Sequence, residues 1–220
     1  VNLVCRFYEP TEGQILIDDK DYKERSIGWL HDNLGYVLQA PHLFSGTILD
    51  NIRYGNQDAT MDEIIHAATL VEAHDFIIEF EDGYNTVVGE GGARLSVGQK
   101  QLISFARAMI ANPRIFILDE ATSSVDTKTE KSIQKAIEVV LKNRTSIVVA
   151  HRLSTITTSD RILVLEHGLI IESGTHRELI QKEGIDIDPN VEFSKIGDTF
   201  EFKIKDKIYN VSYIVSKIPG

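Results

Sequence analysis

Apolar positions recur with different spacings along the chain, and each spacing predicts a kind of element. Residues 115–118 and 146–150 are almost uninterrupted apolar runs, which are typical of strands buried on both faces of a parallel sheet. Helical spacing is found in residues 60–77, in the segment that opens at Ser96, and in residues 128–141. Because a strand, a helix and a strand follow one another from 115 to 150, we predict a βαβ unit.

Shorter segments complete an α/β outline. Residues 1–9 have apolar positions on one helical face, which predicts the end of a helix that stops at Pro10. The segments 161–165 and 169–172 predict a hairpin. Two further short strands are expected, at 15–17 and 34–38.

The pattern changes near Gly184. Beyond a polar segment, residues 191–216 alternate between apolar and charged positions, as antiparallel strands do. We therefore expect a core in residues 1–184, with a helical subdomain at about 56–112. Residues 185–220 are expected to form a linker and an antiparallel β tail.

Composition narrows the class of protein. The 220 residues are 42% hydrophobic and 25% charged, as in an ordinary soluble domain. The formal net charge of −10 disfavours a nucleic-acid partner, which would need a basic face, but phosphates can be bound by backbone N–H groups. The single cysteine, Cys5, is expected to be a buried small hydrophobe. Since the chain begins at Val1 and not at Met, we expect a piece of a longer protein.

Two adjacent carboxylates follow the apolar run at 115–118. Ligands of open α/β sheets bind at the carboxyl ends of the strands, where Asp119 and Glu120 stand. Asp119 is suited to hold Mg²⁺, directly or through water, and Glu120 to orient and deprotonate an attacking water. A strand that simply ends in solvated acidic side chains would show the same pattern, so both interpretations stay open here.

A second candidate begins the helix at Ser96. Ser96 and Gln99 have the spacing of a capping box, which is sufficient to explain them. The same helix start, with Gly98, also presents unpaired N–H groups and a positive dipole end to an anion. The pattern alone does not choose between a plain cap and an anion site.

Taken in order, these segments resemble the nucleotide-binding domain of ABC-type exporters. Residues 95–99 (Leu-Ser-Val-Gly-Gln) resemble the signature motif, and residues 118–126 resemble the Walker B strand and D-loop. Residues 150–155 are similar to the segment with the switch histidine, and residues 36–48 to the Q-loop. Residues 88–92 look like the loop by which the exporter branch contacts its membrane domain.

The resemblance covers about residues 1–184 and implies a fold: a parallel sheet core like that of P-loop NTPases, with an inserted helical subdomain. It also implies roles around ATP and Mg²⁺. Gln39 would sense the metal and the attacking water, Asp119 would bind the metal, and Glu120 would be the general base. His151 would contact the γ-phosphate and hold the base and water in line.

Other matching residues would act across a dimer. By resemblance, Ser96, Gly98 and Gln99 would close over ATP bound by a second nucleotide-binding domain, and Asp126 would lie at the dimer seam. Transmembrane domains of an exporter would be the other partners, which places the chain at the cytoplasmic side of the cell membrane.

The chain departs from the family pattern in two ways. Val97 stands where the family usually has glycine, which we expect to weaken the motif at most. No Gly-x-x-x-x-Gly-Lys-Ser/Thr phosphate loop occurs in the 220 residues. Because losing even one donor from a catalytic site costs about 3 kcal/mol, we expect negligible ATPase activity from the isolated chain.

The tail offers two interpretations of this departure. Residues 191–216 are similar to the antiparallel strands that precede the phosphate loop in the family, which would place Phe202 where an aromatic ring stacks on adenine. The order of elements would then be permuted. An unrelated hairpin appendage is the alternative.

ATP-powered export is the leading function that the resemblance implies. The first alternative is a degenerate subunit that lends Ser96, Gly98 and Gln99 to a partner's ATP. The second is the ATPase head of a DNA-repair or chromosome-organising protein. The long coiled-coil insertion of such heads is missing, and the surroundings of Gln39 and Glu90 favour the exporter branch.

Overall fold

A computed structural model describes residues 1–38, 40–119, 126–150, 156–166, 168–182, 193–196, 199–204 and 207–217. Within these residues the helices are α1 (Ile27–Asp32), α2 (Ile48–Arg53), α3 (Met61–Leu70), α4 (His74–Ile78), α5 (Val97–Ala111), α6 (Thr127–Leu141) and α7 (His176–Lys182). The strands are β1 (Leu16–Ile17), β2 (Lys20–Asp21), β3 (Leu34–Val37), β4 (Ile115–Asp119), β5 (Thr145–Ala150), β6 (Arg161–Glu166), β7 (Leu169–Gly174), β8 (Phe193–Ile196), β9 (Thr199–Ile204) and β10 (Lys207–Lys217). In the described part of the chain, no helix combines the length and apolarity that a bilayer crossing requires.

The predicted parallel core is confirmed. Strand β4 lies between β3 and β5 and runs parallel to both. The buried side chains of Phe116, Ile117 and Leu118 explain the uninterrupted apolar run, because a central strand of a covered parallel sheet meets apolar surroundings on both faces. Helix α6 connects β4 to β5, as the βαβ prediction requires.

The rest of the main sheet is antiparallel. Its strand order is β3-β4-β5-β10-β6-β7, with β10 antiparallel to both of its neighbours. The predicted hairpin of β6 and β7 is confirmed. The tail strands β8, β9 and β10 also pair antiparallel, as expected, and the second half of β10 lies inside the main sheet. The division into 1–184 and 185–220 stays a prediction.

One helix prediction needs correction, and another needs an earlier end. Residues 60–77 form two helices, because Glu72 adopts a left-handed conformation (φ 61°) that ends α3 before α4 begins. Residues 1–7 form hydrogen-bonded turns with the pattern of a helix end, as predicted: Cys5 N–H donates to Val1 O at 3.0 Å, and Phe7 N–H donates to Asn2 O at 3.0 Å across the left-handed Arg6 (φ 56°). The helical path therefore ends at Arg6 and not at Pro10. Both reversals occur at residues other than glycine, which is why sequence spacing did not indicate them.

Helix α5 organises the core. It packs against α2, α3, α6 and β3. Leu102, Ile103, Phe105 and Ala106 are buried along it, as their helical spacing predicted. Burial of the three larger side chains, Leu102, Ile103 and Phe105, stabilises the fold by about 2 kcal/mol each. Cys5 is fully buried as well, which confirms its expected role as a small hydrophobe.

Candidate nucleotide-binding site

The three parallel strands end within two residues of one another. Val37, the last residue of β3, is level with Leu118, and Asp119, the last residue of β4, is level with Val149 of β5. Strand β5 extends one residue further, to Ala150. The carboxyl ends of β3, β4 and β5 therefore form one edge, which is where open parallel sheets bind ligands.

Asp119 is the described acidic residue at this edge. Its side chain is half-buried, and it lies near Tyr36 on the adjacent strand β3. Burial raises the pKa of the Tyr36 phenol, and the negative charge of Asp119 raises it further. The charge of the Asp119 carboxylate is thus felt on the neighbouring strand, and its partial exposure leaves the carboxylate accessible to a metal ion from solution.

The N-terminal turn, residues 1–7, lies against strand β3. The ring of Phe7 is 6.2 Å from that of Tyr36 and 6.4 Å from that of His31. His31 also anchors the turn, with Nε2 at 3.3 Å from the carbonyl oxygen of Cys5. Residues 1–7 therefore pack beside β3, which is the neighbour of the strand that ends in Asp119.

The start of helix α5 is a complete capping box. Gln99 N–H donates to Ser96 Oγ at 3.2 Å, and Ser96 N–H donates to Gln99 Oε1 at 3.0 Å. The capping explanation from the sequence is therefore confirmed. These bonds leave the hydroxyl hydrogen of Ser96 and the amide NH₂ of Gln99 free of the cap itself, so an anion role is compatible with it. Val97 begins the helix and is half-exposed, whereas Gly98 is buried.

Asp126 caps the next helix. Its carboxylate accepts from Thr129 N–H at 3.0 Å and from Lys128 N–H at 3.1 Å, at the start of α6. The hydrogen bonds from Thr129 are the main reason that the pKa of this carboxyl lies below its usual range. The side chain is fully exposed at the surface, where a partner could reach it.

A hydrogen-bonded network joins residues 46–48 to the start of α5. Val88 N–H donates to Gly46 O at 2.9 Å, and Arg94 N–H donates to Val88 O at 3.2 Å. Lys100 then reaches back from α5, with Nζ at 3.3 Å from Gly91 O. The segments 46–48 and 86–92 and the helix start are therefore continuous in space.

An aromatic cluster lies on the outside of this network. It consists of His42, Phe44 and Tyr54. The Phe44 ring is 4.5 Å from that of Tyr54 and 5.7 Å from that of His42. Phe44 is 41% and Tyr54 58% exposed, although both rings are large and apolar. Exposed aromatic clusters of this kind are typical of contact surfaces.

The predicted site residues lie at several places, and one of them is Asp126 at the start of α6, described above. Asp119 lies at the sheet edge, and Ser96, Gly98 and Gln99 are together at the start of α5. Gln39, Glu120 and His151 lie outside the described residues, although they follow the ends of β3, β4 and β5 closely in the sequence. Phe202 lies in β9, level with Phe193 of β8 and Tyr209 of β10.

Sequence reasoning missed two residues in this region. Asn51 is buried in α2, and Arg107 on α5 donates to it. The sequence carried one signal: a charged residue, Arg107, between the apolar residues 105–106 and 108–110 of the helix. Its partner stands 56 residues away, which no local pattern reveals.

Comparison with known proteins identifies the family. The ABC transporter family model matches residues 1–123. A Staphylococcus aureus protein named as a multidrug export ATP-binding/permease protein is 52% identical over 184 residues, which is 84% of this chain and 32% of that protein. ABC transporter B family member 1 of Dictyostelium discoideum is 51% identical over 180 residues, or 82% of this chain and 20% of that protein.

The chain thus spans about a third of the length of the Staphylococcus aureus relative. The family match covers more than half of the 220 residues, and it includes the Q-loop, the signature motif and the Walker B strand on which the resemblance rested. The chain belongs to the ABC transporter family.

Proposed function

We propose that this chain forms most of an ATP-hydrolysing domain that powers export across a membrane. The observation that supports the proposal best is the common edge of β3, β4 and β5, with Asp119 upon it. The names of the relatives agree with this proposal, since one is named as a multidrug export ATP-binding/permease protein and the other as an ABC transporter. They lend no support to a degenerate subunit.

The residues at the edge suit phosphoryl transfer. A half-buried carboxylate such as Asp119 is a fitting ligand for Mg²⁺, which would neutralise phosphate charge when bound. Glu120 is proposed as the base that orients and deprotonates the attacking water. Gln39 and His151 are proposed to hold that water and the γ-phosphate in line, because this reaction depends on positioning more than on covalent chemistry.

A second nucleotide-binding domain would complete the site. Ser96, Gly98 and Gln99 are proposed to close over ATP held by that domain, and exposed Asp126 to lie at the seam. Phe202 is proposed as the adenine-stacking aromatic. A site divided between two subunits makes hydrolysis depend on their closure, so the chemical step can drive a conformational change.

The aromatic cluster of His42, Phe44 and Tyr54 is proposed to contact the transmembrane domains. His42 and Phe44 belong to the segment that resembles the Q-loop, and residues 46–48 of the same segment are joined to residues 86–88 by hydrogen bonds. Through this contact the chain would work at the cytoplasmic side of the membrane. The transported substrate would bind to the transmembrane domains and not to this chain.

Hydrolysis can be tested by supplying a phosphate loop. The isolated 220-residue chain is expected to hydrolyse ATP negligibly. A fusion that places a Gly-x-x-x-x-Gly-Lys-Ser/Thr phosphate-loop segment before Val1 delivers that segment to the turn beside Tyr36. We expect Mg²⁺-dependent phosphate release from the fusion, and a loss of about 100-fold or more with Asp119→Asn or Glu120→Gln.

Asp58→Asn is the matched control, because Asp58 is an exposed aspartate away from the sheet edge. Its fusion should hydrolyse ATP at the unmodified rate. A folded fusion that binds Mg-ATP but hydrolyses it equally well with Glu120→Gln would overturn the proposed role of the edge.

A further inference from the structure

Asn51 on α2 and Arg107 on α5 are joined to each other and to the segment 42–47 by several hydrogen bonds. The Asn51 side chain is 1% exposed and forms four hydrogen bonds. Its Oδ1 accepts from Phe44 N–H at 2.9 Å and from Arg107 Nη2 at 2.8 Å. Its Nδ2 donates to the carbonyl oxygens of Phe44 and Thr47, both at 2.9 Å. One amide therefore ties residues 44–47 to helix α2.

Arg107 extends this link to helix α5. Its Nε donates to Asn51 O at 2.8 Å, and Nη1 donates to His42 O at 3.1 Å. The guanidinium carbon also lies 5.0 Å from the centre of the Phe44 ring and 5.9 Å from that of Tyr54. Burial lowers the pKa of Arg107, and its hydrogen-bond partners offset the cost of that burial. The aromatic cluster thus rests on a side chain of α5.

The segment 42–47 is consequently attached to α5 at two places. One attachment runs through Val88 and Arg94 to the helix start, and the other is Arg107. Ser96 at the helix start and Arg107 are eleven residues apart, or about 16 Å along the helix axis. With a single attachment, the segment 42–47 could rotate relative to α5. Two attachments at separate points along the helix prevent that rotation, so the segment and the helix move together.

We propose that Asn51 and Arg107 are positioning residues that bind the segment 42–47 and the start of α5 into one rigid unit. A partner that displaces the aromatic cluster then moves Ser96 and Gln99 with it. The identity of this partner as a transmembrane domain rests on the proposed function. The rigid unit itself does not depend on it.

Arginine is required for the link by its geometry. The planar guanidinium donates in three directions, to two oxygens of Asn51 and to His42 O. A lysine keeps the positive charge but has one nitrogen on a flexible stem, so it cannot hold both residues at these positions. Arg107→Lys therefore removes the link with little change in charge or volume.

Amide hydrogen exchange of the 220-residue chain tests the proposal. The reporters are the N–H groups of Phe44, Val88 and Gln99, each of which has a partner described above. In the unmodified chain these amides should open together, with protection equal within about threefold. Arg107→Lys should accelerate all three at least tenfold, while the amides of strand β5 change less than threefold.

Arg144→Lys is the matched control. Arg144 also donates from a partly buried position, to Val140 O at 2.7 Å and to Asn112 Oδ1 at 3.0 Å, beyond the other end of α5. This variant should leave the three reporters within threefold of the unmodified chain. Asn51→Asp is a second test, because it keeps an acceptor for Arg107 but removes both donors to the segment 42–47. It should accelerate the reporters as Arg107→Lys does, and it decides the matter if Arg107→Lys does not fold.

Two results would overturn the rigid unit. In the first, Arg107→Lys accelerates β5 as much as the reporters, which shows a purely global loss of stability. In the second, it accelerates Phe44 but not Gln99, which shows that the helix start is independent. Neither result bears on ATP hydrolysis by the fusion. Conversely, a fusion without ATPase activity would not contradict the rigid unit, because hydrogen exchange is measured on the 220-residue chain.

Discussion

Gly55→Ala tests how closely helix α2 approaches α5. Gly55 follows α2, and its φ lies outside the left-handed range, so any penalty is steric. A Cβ at this position would overlap the carbonyl oxygen of Arg107 and lie 2.7 Å from Ile110 Cγ2. The carbonyl belongs to the hydrogen-bonded backbone of α5, four residues before its end, so it cannot turn away without breaking the helix. Overpacking of a core costs about 1–3 kcal/mol, and we expect the upper end of this range.

The same substitution at Gly28 is the matched control. Gly28 is exposed in α1, and nothing lies within 4 Å of an added Cβ. Gly28→Ala should raise the free energy of unfolding by about 0.5 kcal/mol, because alanine loses less backbone entropy on folding. The two variants should therefore differ by about 3.5 kcal/mol although their chemistry is identical.

Equilibrium urea unfolding, followed by far-UV circular dichroism, measures both variants. For a chain of this size, a loss of about 3 kcal/mol corresponds to a fall of about 6–12 °C in Tm. A free energy of unfolding for Gly55→Ala within 0.5 kcal/mol of the unmodified chain would show that α2 does not rest on α5 as described. The link between Asn51 and Arg107 would then lose its geometric basis.

Two further predictions concern helix caps. Ser96→Ala should lower the free energy of unfolding by about 1 kcal/mol through loss of the bond from Gln99 N–H, and Ser96→Thr should restore most of it; equal urea midpoints for all three chains would contradict this. The pKa of Asp126 in the folded chain lies below its unfolded value of about 3.9. The ionised carboxylate therefore stabilises the fold fully above that value, and this contribution is lost as the pH falls through the folded pKa. Asp126→Asn keeps the cap without the titration, and its stability, measured by thermal unfolding from pH 5 to pH 2, should fall less steeply; parallel curves would refute the assignment.

Several secondary-structure elements of this domain and its family could be predicted from local sequence patterns. The buried parallel strands β4 and β5 followed from their apolar runs, because a central strand meets apolar neighbours on both faces. The start of α5 followed from Ser96 and Gln99, because a capping box acts within four residues. The family resemblance rested on short motifs of the same kind, and the match over residues 1–123 bears it out.

The long-range contacts were decided only by the tertiary structure. Asn51 and Arg107 are 56 residues apart, and no sequence pattern around either residue indicates that the other is its hydrogen-bond partner. The end of α3 depends on a left-handed Glu72, which side-chain spacing does not encode. The place of β10 between β5 and β6 is likewise a choice of partner among strands with similar alternation. Periodicity reports which face of an element is buried, and only the assembled fold decides what that face is buried against.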